Sequence, residues 1–185
     1  SPERRKKMSR EQKVNILITK LDPERGVEMG VVSGREALEW LSSGERVGKY
    51  VFHGTPFKIE GPLEPRQAHS NGKLDGVPAV AATHLVDVPI FMAIISARRD
   101  QAAGREHHSS WGGEGSDIGF KSWPDQLERA LEERHTGFVY VLDAEKFQQY
   151  QGAEVRSEAA VEPVYCIPVS VEDLPEGIEE IEQGT

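Results

Sequence analysis

The residues best suited to chemistry lie in one short run, Lys49-Tyr50-Val51-Phe52-His53-Gly54-Thr55-Pro56. Tyr50, Val51 and Phe52 are strong strand formers. Gly54 and Pro56 are expected to stop the strand at once, which leaves His53 at its last position. A histidine there is held by the backbone on one side and open on the other. Gly54 has no Cβ, so another molecule can approach the main chain closely. A His-Gly-Thr strand end therefore suits the docking of a planar amide or a ribose, the plain alternative being a capped strand with a surface histidine. Downstream, Arg66 is a strong anion donor that can meet a phosphate. His107 and His108 are adjacent and point to different sides. They have neither helical i, i+4 nor zinc-finger spacing, so no metal site is expected.

The chain that must position these residues has 185 of them, the length of one domain. It is 37% apolar with a mean hydropathy of −0.51, lean but sufficient for a core. No apolar run approaches ~20 residues, so no membrane span is expected. The single cysteine, Cys166, excludes an internal disulfide and a cysteine-based zinc cluster. An intracellular, cytoplasmic protein is the simplest expectation. Net charge is −9 but uneven. Residues 1–20 carry seven basic and two acidic residues, and residues 121–185 carry 15 acidic and five basic. An acidic body disfavours a nucleic-acid footprint, while the basic arm leaves contact with an acidic partner open.

In chain order, 1–12 reads as a basic flexible arm. Val14 to Ile18 and Val31-Val32 read as strands. Ser33 with Glu36 forms a capping box opening a helix over 34–43. The strand 48–53 follows. Proline and glycine make 56–77 a long loop, and a loop of that length is functional or mobile. Val77 to Thr83 is a strand of small residues. Asp87 and Pro89 start a helix that is apolar nearly all round, through Ile95, and should be deeply buried. Glycines make 99–118 a second loop, read as a mobile lid. A helix spans 124–134, and Gly137 to Leu142 is the clearest strand. Asp143 caps a short helix holding Phe147 and Tyr150, ended by Gly152. Ala153 to Glu158 and a closing strand, Val161 to Val169, complete the domain, with Pro163 and Pro168 placing the last strand at an edge. Residues 176–185 read as an acidic, frayed tail. Strands and helices without regular alternation predict an α+β fold, a single domain over 13–175. There is no phosphate-binding loop, dinucleotide fingerprint, Gly-x-Ser-x-Gly elbow or His-Glu-x-x-His helix.

With these pieces in order, the chain resembles the ADP-ribosyltransferase superfamily over roughly 46–170. In that fold a strand ends in His-Gly-Ser or His-Gly-Thr, here His53-Gly54-Thr55. A small-residue strand, here Ala79 to Thr83, passes into an apolar helix, here Pro89 to Ile95. A late strand carries a glutamate, here within Glu154 to Glu158. The same His-Gly-Thr start occurs in the tRNA 2′-phosphotransferase branch, which would call on Arg66, Arg98, Arg99, Arg105 and Arg156 to grip phosphate. The resemblance implies split, mostly antiparallel sheets with flanking helices, and NAD as a substrate. His53 would bond the nicotinamide-side ribose and Gly54 the carboxamide, with Thr55 and Thr83 beside them. Glu154 or Glu158, with Glu154 preferred, would stabilise an oxocarbenium-like transition state. Many members put a tyrosine on the middle strand to stack on nicotinamide. This chain has none there, and Phe91 or His84 is the expected substitute. The implied activity is transfer of ADP-ribose to a protein or nucleic-acid acceptor. The alternative is a degenerate member serving as a nucleotide-binding or interaction module.

Overall fold

The computed structural model describes residues 33–70, 72–113 and 117–182. The basic arm and the strands expected at 14–18 and 31–32 lie outside them. The fold is α+β, built on a curled, antiparallel seven-stranded sheet. Its central order is β7 (Gln148–Gln151), β8 (Glu154–Ser157), β3 (Lys73–Thr83), β1 (Tyr50–Thr55), β6 (Thr136–Asp143), β9 (Tyr165–Ser170), with β2 (Arg66–Ser70) paired to β3. A small second sheet holds β4 (Ser109–Gly112), β5 (Gly119–Ser122) and β10 (Glu179–Glu180). Among the described residues no helix is long and apolar enough to cross a membrane.

Both faces of the β1–β6–β9 centre are covered, which explains the nearly unbroken apolar run of β6. On one face Phe52, Val139, Val141, Ile167 and Val169 pack against α1 (Gly34–Leu41) and α2 (Asp87–Ile94). On the other, Val51, Tyr140, Leu142 and Cys166 pack against Val80, Ala82, Val155, Leu63 and Val161. Helix α1 begins where expected, with the Ser33 side chain accepting from the Glu36 N–H. Helix α2 is buried along Val88 to Phe91, Ala93 and Ile94, while Met92 alone among its apolar residues is 43% exposed. Strand β9 lies at the sheet edge, where the missing N–H of Pro168 costs no ladder bond.

Several segments differ from expectation. Strand β1 runs on through Gly54 to Thr55, because β6 continues beside it and pairs Gly54 with Val139 and Thr55 with Phe138. The expected loop 56–77 contains the β2–β3 hairpin. The expected lid 99–118 contains α3 (Ala97–Ala102) and β4. Its first half is tied back on itself, since both Arg105 and His107 bond the Asp100 carboxylate. Tyr150 belongs to β7, and only a 3₁₀ turn, Ala144–Lys146, follows the Asp143 cap. The closing strand starts at Tyr165, and Val161 makes an isolated bridge to Leu63. Part of the acidic tail is paired, as Glu179 and Glu180 lie parallel to Lys121 and Ser122.

Candidate functional site

Strands β1 and β3 register at one residue pair, Phe52 opposite Thr83, and then part. His53 sits at the parting. Its Nδ1 lies 2.7 Å from the Ala81 carbonyl oxygen, so a side chain bridges the strands where ladder bonds cease. A carbonyl only accepts, so Nδ1 carries the hydrogen. Burial lowers the imidazole pKa below its ordinary 6.5, against the Ala81 bond, and the nearby charges of Arg98 and Arg66 lower it further. The ring is therefore neutral at pH 7, and Nε2 is left as an acceptor.

A cleft with two compartments opens at this point, and His53, Gly54, Ala81 and Met92 line both. The narrower, about 130 Å³, is mostly apolar and is closed by Thr83, Pro89, Trp111 and Glu154. Thr83 is buried, and its hydroxyl accepts from the Leu85 N–H at 3.2 Å, setting the turn into α2. Glu154 opens β8 directly opposite Thr83. Its carboxylate accepts from Arg156 Nε. Arg156 also donates to the Asp75 carbonyl at 2.7 Å and to Asp75 Oδ2 at 3.2 Å. Its guanidinium lies 3.6 Å from the Tyr150 ring centroid. Glu154 is thus fixed by a side chain that is itself held on three sides. Gly76, with φ +72°, leaves the space this clamp needs: a Cβ there would stand 2.7 Å from Arg156 Nη1.

The wider compartment, about 450 Å³, lies between the chain 56–68 and the end of α2, with Arg66 and Arg98 in its wall. Neither arginine makes an ion pair among the described residues. Burial and the charge of Arg66 both lower the pKa of Arg98, so the two cations repel across the wall. Two cations in one wall, with no ion pair among the described residues, favour an anion beside them, and Glu60 and Glu64 line the same compartment. Of the other arginines considered for phosphate, Arg99 is spent on the carbonyls of Ile94 and Thr136, Arg105 on Asp100, and Arg156 on Glu154 and Asp75.

The expected site residues divide. His53, Gly54, Thr83 and Glu154, far apart in sequence, line the narrow compartment together. Phe91 does not: it is fully buried and packs on Phe120, with ring centroids 4.9 Å apart. Thr55 is 1% exposed, and its hydroxyl closes the next turn by bonding both the carbonyl and the N–H of Phe57. Glu158 lies past the end of β8 on a separate cavity with Tyr150 and Lys146. His84 is exposed and lines neither compartment. Gly54 is required for packing more than for ligand approach, since a Cβ there would stand 1.9 Å from the Pro89 carbonyl oxygen. Sequence reasoning missed Trp111 and Met92. The one signal for Trp111 was its type, as the single Phe, Tyr or Trp in the expected loop 99–118.

In chemical terms, the cleft offers an apolar slot with an aromatic wall, a neutral imidazole acceptor, an oriented carboxylate and two arginines without an ion pair among the described residues. No family model, no curated protein and no solved structure matches the chain.

Proposed function

We propose that this domain binds NAD across the two compartments and transfers its ADP-ribose to an acceptor, as an ADP-ribosyltransferase-like fold. One observation carries the reading. His53, Thr83 and Glu154, each singled out by the resemblance, line one apolar slot although β1, β3 and β8 deliver them from distant parts of the chain. The slot, about 130 Å³, suits a small planar ring such as nicotinamide, with Trp111 in place of the missing tyrosine as its aromatic wall. His53 Nε2 accepts a hydrogen bond from a ribose hydroxyl. Arg66 and Arg98 in the wider compartment meet the diphosphate.

The chemistry follows from charge. As nicotinamide leaves, the bonding pair goes to the ring nitrogen and positive charge develops at the ribose C1′. A fixed carboxylate beside that carbon stabilises the transition state more than the ground state. Glu154, clamped by Arg156, needs no reorganisation to do this. His53 binds and orients, and its one N–H is spent on the Ala81 carbonyl. The same Arg156 contact favours the second reading, a nucleotide-binding module, because it partly neutralises Glu154. Release of nicotinamide from NAD by the purified protein, with and without candidate acceptors, separates the two. Turnover that disappears in Glu154→Gln supports the transferase. Binding of NAD with no release above background supports the module and overturns the transferase.

A further inference from the structure

A second constellation lies outside the cleft, on the small sheet. Asp100 on α3 has its carboxylate Oδ2 2.7 Å from His107 Nδ1, and His107 Nε2 lies 2.6 Å from Ser109 Oγ. The Asp100 and His107 side chains are each 7% exposed, while Ser109 is half-buried. Burial opposes charge on Asp100, but bonds from His107 and Arg105 outweigh it and hold the carboxyl below its ordinary range. Arg129 Nη1 also lies 3.5 Å from Oδ1. Asp100 is therefore ionised and can only accept. It follows that His107 Nδ1 is the donor, and in the neutral ring Nε2 accepts from the Ser109 hydroxyl. This is the order of groups by which a base draws a proton from a serine nucleophile.

The backbone supplies one donor beside the nucleophile. Ser109 pairs with Ser122 and Ser110 with Lys121. The Trp123 N–H donates to the His108 carbonyl, and the Ile181 N–H to the Ser122 carbonyl. Ser122 thus turns its backbone toward β10, and the alternation of an antiparallel ladder leaves Ser109 at a pair without mutual hydrogen bonds. The N–H of Ser109, and that of Trp111 two residues on, face the open edge of β4, which ends its sheet. The Ser109 N–H, beside its own Oγ, can donate to an oxyanion, whereas the Trp111 N–H, ~6.6 Å further along the extended strand, is too distant to share it. The segment is rigid: Gln126, 3% exposed, accepts from the His108 N–H and donates to both the His108 carbonyl and Ser122 Oγ.

We propose that Ser109, with His107 as base and Asp100 as its orienting carboxylate, is a reactive nucleophile for carboxylic esters, an activity separate from the NAD reading. Ser109 Oγ bonds to the carbonyl carbon as its proton passes to His107 Nε2. The bond to the alkoxide then breaks, and the alcohol departs with that proton. Water, losing a proton to His107, attacks the acyl-serine and releases the acid, and the proton returns to Oγ. No redox partner is needed.

The test uses the full chain and an alkyl fluorophosphonate, which forms a phosphorus–oxygen bond to an activated serine and expels fluoride. Peptide mass mapping locates the adduct. The label is expected on Ser109 in preference to Ser110 and Ser122, to vanish in Ser109→Ala, and to fall at least ~10²-fold in rate in His107→Gln, as loss of a general base does. Hydrolysis of p-nitrophenyl acetate should fall in parallel. The wild-type labelling decides the matter even if His107→Gln fails to fold. Absence of label, label spread equally over the three serines, or a rate unchanged in a folded His107→Gln would overturn the proposal.

Discussion

His53 and His107 each turn Nδ1 toward an oxygen 2.7 Å away, and the choice of oxygen separates what the two regions can do. At the parting of β1 and β3 the partner is a backbone carbonyl and the nearest charges are two arginines. That ring is kept neutral and is suited to binding. On the small sheet the partner is an ionised, buried carboxylate, which stabilises the imidazolium formed when a proton is taken. Burial does most to keep the His53 ring neutral, with Arg98 and Arg66 adding to it, whereas the Asp100 carboxylate sets what the His107 ring can do. In the proposed reaction the negative charge comes separately, from Glu154, so binding and charge stabilisation would fall to different residues.

That division can be broken one residue at a time. The largest effect belongs to Glu154→Gln, which should leave NAD binding nearly intact and lower kcat by ~10²–10³-fold, as removal of an electrostatic stabiliser does. Labelling of Ser109 should be unchanged in the same protein. Steady-state nicotinamide release and the fluorophosphonate assay check both. A comparable loss of Ser109 labelling would mean that the two regions are coupled.

Gly54→Ala should come next, acting on structure. The added Cβ meets a backbone oxygen 1.9 Å away, so strand β1 or the start of α2 must shift. A cost of about 2–3 kcal/mol and a melting temperature lower by several degrees are expected by thermal denaturation, with weaker NAD binding.

His53→Ala removes a binding group and should raise KM about tenfold, the worth of one good hydrogen bond with its positioning, with a smaller change in kcat. An equal fall in kcat with KM unchanged would assign His53 to the chemistry and erase the contrast with Glu154. Arg156→Lys should act the other way, lowering kcat several-fold while KM holds, because a lysine cannot grip Glu154 and Asp75 together.

The smallest effect is on pH. The folded His53 pKa lies below 6.5. Between those two values the unfolded chain binds a proton that the folded chain does not, so stability rises with pH in that window. Acidification from pH 7 should therefore lower the melting temperature of the wild type as pH falls below about 6.5, until the folded value is passed. In His53→Gln this part of the slope should be missing. NAD binding should persist somewhat below pH 6.5, because Nε2 stays an acceptor there.

How far the sequence carried this picture depends on the kind of signal. The strand Tyr50 to His53, the small-residue strand running into an apolar helix, and the glutamate opening a late strand were legible, because propensity and order of elements are local. The side of α2 that faces the cleft was not. The helix is apolar all round, so periodicity could not choose between Phe91, which is buried, and Met92, which lines the cleft. The β2–β3 hairpin was hidden by its glycines: Gly72, with φ +77°, makes its turn, and Gly76 makes room for Arg156. Strands β4 and β5 have four residues each, too short for alternation to stand out in a glycine-rich stretch. The relay through His107 depends on Asp100, seven residues away across a helix end, which no spacing rule would have joined to it.

The central claim is that one dinucleotide spans both compartments, and fragment binding tests it most directly. Calorimetric titration with nicotinamide and with ADP-ribose should be run on wild type, Trp111→Ala and the double variant Arg66→Ala, Arg98→Ala. The account predicts that ADP-ribose weakens at least tenfold in the arginine variant while nicotinamide is unaffected, and that Trp111→Ala does the reverse. Loss of neither ligand in either variant, or no measurable binding of ADP-ribose to the wild type, would contradict it.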